Sequence, residues 1–237
     1  MSFQFKQFKI LQDKAAMKVT TDACLFGAWA ADLIKNEKLI INNLLDIGTG
    51  TGLLSLMLAQ QTDVNIDAVE IDAAAFEQAK DNFSASPWKD RLTVYETDIL
   101  NFRKENKYQL IISNPPFFEN DLRSVDKKKN AAKHDSTLTL AGLLAVVSPL
   151  LTNDGCFAVL LPYHRTDDFI KTAMDSGLNI LQQTDVRQTT SHNFFRSMLL
   201  LTKNKVETIY SEMSIKGGDN NYTQPFINLL KDYYLYL

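Results

Sequence analysis

The sequence predicts an α/β fold, a doubly wound, Rossmann-like sheet of mostly parallel strands with helices on both faces. Three observations predict it. Short apolar runs alternate with longer helical patterns, the arrangement that builds a parallel sheet. A glycine-rich turn, Asp46-Ile47-Gly48-Thr49-Gly50-Thr51-Gly52, leaves the first of those runs in the central part of the chain. The run Leu110-Ile111-Ile112-Ser113 ends in a rigid corner, Asn114-Pro115-Pro116-Phe117. Open α/β sheets place their sites at such carboxyl ends.

Taken in order, Phe3-Gln4-Phe5 and Phe8-Lys9-Ile10 alternate as a small hairpin, and Thr21 or Asp22 can cap a helix over Ala23–Ile34. The core then reads as strand Leu44–Ile47, helix Leu53–Gln61, strand Ile66–Glu70, helix Ala73–Ser84, and strands Leu92–Tyr95 and Gln109–Ser113. Phe118–Ser136 is polar and lysine-rich, a substrate-clasping loop by expectation. Thr137 can cap a helix from Leu138 to Pro149, and Cys156–Leu161 is a continuous apolar run suited to a central strand. Helix Thr166–Ser176 stops at Gly177, strands Leu178–Val186 and Ser197–Thr202 close the sheet, and Pro225–Tyr236 forms a terminal helix after a Gly-Asn loop. The expected organisation is one domain, residues 1–237: an N-terminal extension over 1–36 covering cofactor and substrate, a catalytic core over 37–205, and a helical tail over 206–237.

The 237 residues are 45% apolar and 22% charged, the composition of an ordinary globular chain. No apolar run approaches the roughly 18 residues that span a bilayer, and Met1-Ser2-Phe3-Gln4-Phe5-Lys6 lacks an export signal. A cytoplasmic protein with no membrane partner is expected. Cys24 and Cys156 are isolated, which fits buried thiols better than a disulfide framework. The net charge of −3 argues against a broad nucleic-acid-coating surface. Local basic clusters remain: Lys6, Lys9, Lys14 and Lys18; Arg187, Arg196, Lys203 and Lys205; and Arg123, Lys127, Lys128, Lys129 and Lys133. Neutralising phosphates takes only a handful of cations if the clusters flank one cleft.

Glycines at 48, 50 and 52 let the backbone turn tightly and approach a ligand closely. Glu70, ending the second core strand, can accept from two ribose hydroxyls. Nicotinamide and S-adenosylmethionine enzymes share this much, and spacing separates them. A dinucleotide fingerprint needs a third glycine where Leu53 stands, and Gly52 comes one place early. Asp46 would repel a pyrophosphate but suits the ammonium of a sulfonium amino acid. Asp98 can accept from an adenine amine, with Ile99 or Ile71 packed on the ring; the competing reading is a turn aspartate.

The corner at Asn114 supplies the other half of a reaction. Asn114 offers a side-chain carbonyl, Pro115 a backbone carbonyl without a donor, and Phe117 a ring. Two acceptors and an aromatic face suit a planar amine held by both N–H groups. Accepting those bonds would aim the nitrogen lone pair at an activated methyl, and no metal or strong base is then required.

These residues together resemble the class I S-adenosylmethionine-dependent methyltransferases carrying an N-P-P-[FY] motif. The resemblance implies a seven-stranded sheet whose last strand is antiparallel, S-adenosyl-L-methionine as cofactor, and a catalytic Asn114-Pro115-Pro116-Phe117. A closer likeness spans nearly the whole chain. Ala16-Met17-Lys18-Val19-Thr20-Thr21-Asp22 with Leu25-Phe26-Gly27-Ala28-Trp29, the ending Tyr222-Thr223-Gln224-Pro225-Phe226 through Leu235, and Ala132-Lys133-His134 are similar to the bacterial tRNA1(Val) adenine-N6 methyltransferases. Lys133 departs from that family, which carries arginine there. The resemblance implies methylation of adenine 37 beside the anticodon, an anticodon-loop tRNA partner, and cofactor contacts from Lys18 and Thr21. It is expected of a monomer.

Phe194-Phe195-Arg196 reads as a loop with two rings beside a cation, suited to single-stranded RNA, although a core-lining pair explains it as well. With Lys127, Lys128, Lys129 and Lys133 it forms the expected RNA contact set. Other readings stay open: a protein-glutamine N5-methyltransferase acting on release factors, a ribosomal RNA guanine-N2 methyltransferase, or an RNA-binding protein that merely keeps the fold.

Overall fold

The chain opens with the expected hairpin, β1 (Ser2–Gln4) pairing antiparallel with β2 (Lys9–Leu11). Phe5 and Phe8 stack between them with centroids 4.5 Å apart. Helix α1 (Thr21–Lys35) buries nearly every side chain from Ala23 to Leu33, and Thr20 stands at its N-cap in place of Thr21 or Asp22. The computed structural model describes residues 1–36, 39–116 and 138–237.

The rest alternates as the apolar pattern requires: β3 (Asn43–Ile47), α2 (Leu53–Gln61), β4 (Asn65–Glu70), α3 (Ala73–Ser84), β5 (Leu92–Glu96), β6 (Tyr108–Ser113), α4 (Leu140–Leu150) and β7 (Leu151–Pro162). Then come α5 (Thr166–Asp175), β8 (Asn179–Thr189), β9 (Phe194–Thr202), β10 (Ile209–Lys216) and α6 (Gln224–Leu230). The sheet order is β10-β8-β9-β7-β6-β3-β4-β5. Only β9 runs antiparallel to its neighbours, so the seven expected strands appear with the last one reversed. Apolar side chains of α1, α2 and α3 share one buried cluster with one sheet face, and those of α4 and α5 share a second.

Several local features differ from the sequence reading. The segment 206–237, expected as a helical tail, begins with an eighth strand. β10 pairs parallel with β8 from Ile209↔Gln182 to Lys216↔Thr189. Ile215 is its one fully buried residue, so no apolar run announces it; its polar residues suit an exposed edge. The terminal helix stops at Leu230, and Tyr233 instead turns inward to donate to the Met57 carbonyl at 3.1 Å. Phe194-Phe195-Arg196 is strand, not loop, because Phe194 pairs with Arg187 across β8. Thr139 caps α4, accepting from the Gly142 N–H, whereas Thr137 and Phe118–Ser136 lie outside the described residues.

One buried amide ties the flank to the core. Asn82 on α3 accepts from the Leu11 N–H at 2.9 Å and donates to the carbonyls of Leu11 and Thr51, each at 2.8 Å. Strand β2 is thereby fastened to the back of the glycine turn. At the turn's end Gly52 sits at φ 80° as the N-cap of α2. A Cβ there would meet the Phe83 ring at 2.5 Å. Left-handed backbone and a ring contact both demand glycine. Gly52→Ala is therefore expected to cost about 2–4 kcal/mol, read as a lowered midpoint in urea denaturation. An unchanged midpoint would mean that Phe83 relaxes freely.

Candidate functional site

The site forms where β3 and β6 end side by side. Ile47 and Ser113 are register partners, and the Ser113 hydroxyl donates to the Ile47 carbonyl at 2.9 Å. Beyond that bond one strand enters the glycine turn and the other enters Asn114-Pro115-Pro116. The turn folds onto β4, with the N–H groups of Gly48 and Thr49 both donating to the Val69 carbonyl. Gly48 and Gly50 have φ of 71° and 57°. A Cβ on either would touch nothing within 4 Å. Their glycine character therefore leaves open room above the turn, unlike the tight contact at Gly52.

Asp46 is completely buried beneath this turn. Its Oδ2 accepts from the Thr49 and Ser55 hydroxyls at 2.6 and 2.7 Å, while Oδ1 has no partner. Burial pushes its carboxyl up to about 6; the two hydroxyl bonds oppose the rise and nearby Glu70 adds to it. A buried acceptor left open is costly, and a cationic donor group would satisfy it.

Glu70 has a different position. Oε2 accepts from the Gly50 N–H at 2.8 Å, and Oε1 from the Ile71 and Asp72 N–H groups at 2.9 Å each. A carboxylate offers about four lone-pair directions, so ligand hydroxyls share Glu70 with the turn that it organises. Ile71 just beyond is 60% exposed, whereas Ile99 is 5% exposed and belongs to the second apolar cluster. Of the two, Ile71 is the one open to a ring. Leu100, 48% exposed in the turn that follows β5, is a second apolar surface that the sequence reading missed. Asp98 accepts from the Leu100 N–H through Oδ1 at 2.9 Å, the turn role, and keeps Oδ2 for other donors.

At the corner, Asn114 Oδ1 is buried without a hydrogen-bond partner among the described residues, Pro115 is buried and Pro116 exposed. Phe117, Lys127, Lys128, Lys129 and Lys133 lie outside the described residues. Thus two buried acceptors, Asp46 Oδ1 on β3 and Asn114 Oδ1 just past the adjacent β6, lack a hydrogen-bond partner among the described residues.

The flanking candidates have other partners. Lys18 donates to the carbonyls of Gln12 and Ala15, clasping its own loop. Thr21 lies close to Tyr234 of the C-terminal tail. Arg196 Nε donates to Asp22 Oδ2 at 2.7 Å and its guanidinium lies 5.4 Å from the Phe195 ring centre, pinning α1 to β9. Phe195 packs on the first apolar cluster. Lys203 donates to the Leu151 carbonyl, at the opposite end of β7 from the site. Lys6 donates to the Lys231 carbonyl, and Lys14 pairs with Asp81 at 2.8 Å. Lys6, Lys14, Lys18, Arg196 and Lys203 are thus each bonded within the protein. Asn82, Ser55 and Ser113, which shape the site from behind, were not singled out from sequence; a lone serine ending an apolar strand was the available signal for Ser113.

A ligand with an ammonium group, vicinal hydroxyls and a flat purine matches this arrangement: Asp46 Oδ1 for the cation, Glu70 for the hydroxyls, Asp98 and Ile71 for the ring. The open space over Gly48 and Gly50 admits it. Among the described residues no group of three or more His, Cys, Asp or Glu gathers to hold a metal ion, and no helix is long and apolar enough to cross a membrane.

Comparison with known proteins agrees with this chemistry. Residues 30–150 match the family described as "Methyltransferase small domain". A tRNA1(Val) (adenine(37)-N6)-methyltransferase from Pectobacterium carotovorum subsp. carotovorum (strain PC1) is 41% identical over 99% of this chain and 94% of its own length. The protein of the same name from Phocaeicola vulgatus is 38% identical over 98% of this chain and 97% of its own. A crystal structure of a predicted O-methyltransferase, protein Atu636 from Agrobacterium tumefaciens, superposes with a TM-score of 0.66 at 15% identity, over 89% of this chain and 96% of that one. At that identity the likeness speaks for the fold.

Asp46 carries a pH signature. Its folded value, about 6, lies above the unfolded 3.8. The native chain holds this proton more tightly, so Asp46 favours folding below about pH 4 and that contribution is lost as pH rises through 6. The effect is at most on the order of 3 kcal/mol in the ligand-free chain. Asp46→Asn keeps a carbonyl for Thr49 and Ser55 and is expected to remove this slope. Paired urea titrations at pH 4, 5, 6 and 7 check it; parallel stability profiles for the two proteins would refute the assignment.

Proposed function

The chain belongs to the tRNA1(Val) (adenine(37)-N6)-methyltransferase family, and from that premise we propose that it methylates N6 of adenine 37 in tRNA1(Val), using S-adenosyl-L-methionine. The observation that carries the reading is Asn114 Oδ1: a buried acceptor with no partner among the described residues, on a strand end tied to the glycine turn by the Ser113–Ile47 bond. When bound, S-adenosyl-L-methionine supplies a methyl group already activated on a sulfonium.

This chain's residues do the rest. Asp46 Oδ1 holds the cofactor ammonium, Glu70 accepts from the ribose while keeping the turn folded, and Asp98 accepts from the cofactor adenine amine with Ile71 on its ring. Gly48, Gly50 and Gly52 keep the backbone clear, with Gly52 acting through helix packing. Asn114 Oδ1 and the Pro115 carbonyl accept the two N–H bonds of the target amine. That draws the nitrogen toward tetrahedral geometry and turns its lone pair toward the donor. Pro116 stiffens the corner, and Phe117 stacks the base. Positioning of this kind supplies up to about 7–11 kcal/mol of a barrier. The neutral amide of Asn114 accepts from the amine without placing a negative charge beside the cofactor's sulfonium.

The protein works as one domain and a monomer in the cytoplasm, with the anticodon loop as its tRNA contact. A loop base is cheaper to splay into a pocket than a paired one. Asn114→Ala is expected to lower the methylation rate by about 100-fold or more, by analogy with loss of one positioned hydrogen-bonding group, with cofactor affinity nearly unchanged in calorimetric titration. Equal loss of both would move Asn114 into the cofactor site. Identity of the acceptor is tested with labelled cofactor and the total RNA and protein of cells lacking this enzyme. N6-methyladenosine in tRNA is the expected product; methylglutamine in protein would replace the reading.

A further inference from the structure

Two aromatic rings near the proposed site take part in neither apolar cluster. Tyr163 follows the last residue of β7 and is 41% exposed. Phe194, half-buried, opens β9. Their centroids lie 5.3 Å apart with planes tilted by 46°. The Arg187 guanidinium lies 5.1 Å from the Phe194 ring centre, held by Ser214 at 2.9 Å and Glu212 at 3.1 Å. Rings and guanidinium thus form a braced row that neither buried cluster includes.

Its place in the sheet gives the row a meaning. Ser113, just before Asn114, pairs with Val159 on β7. Pro162 on β7 pairs with Arg196 on β9, and Arg187 on β8 pairs with Phe194. The row therefore runs outward from the Asn-Pro-Pro corner across the next three strands, all at the end of the sheet where the site lies. Glu212 offsets the charge of Arg187, so the row offers flat faces more than net charge. Flat faces beside a pocket for a splayed base suit unstacked neighbouring bases.

Resting on the tRNA reading above, we propose that Tyr163 and Phe194, braced by Arg187, are the stacking platform for the single-stranded nucleotides that flank the methylated adenine. Recognition at this platform works through π-faces, with Arg187 held in place by Ser214 and Glu212. The double variant Tyr163→Ala/Phe194→Ala is expected to bind a fluorescent tRNA1(Val) transcript about 10-fold or more weakly. Its KM for tRNA should rise to match, with cofactor affinity and thermal midpoint retained. The slope of log affinity against log salt should stay the same, because no phosphate contact is removed. Tyr163→Phe/Phe194→Tyr, which keeps both rings, should bind as the parent does.

Undiminished tRNA affinity in the alanine variant overturns the platform, as does a reduced salt slope or a conservative variant as weak as the alanine one. A loss confined to protein acceptors overturns it in favour of a peptide surface. If the parent enzyme neither binds nor methylates the transcript, the tRNA reading itself fails.

Discussion

The hydroxyl of Ser113 on the Ile47 carbonyl is the constraint from which the site follows. The β3–β6 ladder ends at this pair, and a side-chain bond takes over where backbone pairing stops. Adjacent strands lie about 4.8 Å apart, so the glycine turn and the Asn114-Pro115-Pro116 corner begin as neighbours. Neither has to reach for the other. The parallel sheet supplies the rest, because it brings the carboxyl ends of β4, β5 and β7 to the same edge and lays Glu70, Asp98 and Tyr163 along it.

The three polar groups nearest the reaction differ in how far the protein satisfies them. Glu70 accepts three backbone N–H bonds, so it is first a keystone of the loop and second a ligand group. Asp46 is half satisfied, and Asn114 keeps its carbonyl oxygen unpartnered. Each buried acceptor left open costs roughly 1–3 kcal/mol. A fold with two extensive apolar clusters can sustain that cost, and functional sites are where such departures from full satisfaction are expected.

The flanks act from behind the site. The hairpin and C-terminal tail meet through the Lys6 N–H and the Tyr233 carbonyl at 2.8 Å. Asn82 transmits that packing to Thr51 in the glycine turn. Helix α1 is pinned to β9 by Asp22 and Arg196. These bonds consume polar and cationic groups that, in the sequence, looked available to solvent or phosphate. At the working edge Tyr163 stays exposed and Phe194 half-buried.

The sequence by itself determined the alternation of strands and helices, the glycine turn and the Asn-Pro-Pro corner. These are local properties: apolar runs report burial, positive φ favours glycine, and proline ends a strand wherever it stands. Only packing in the closed fold distinguishes Ile71, which stays exposed, from Ile99, which is enclosed. It also decided that Arg196 answers Asp22, a residue 174 positions away, and that a polar stretch with one buried residue becomes β10. Those outcomes depend on which distant segments meet, and only the closed chain sets that.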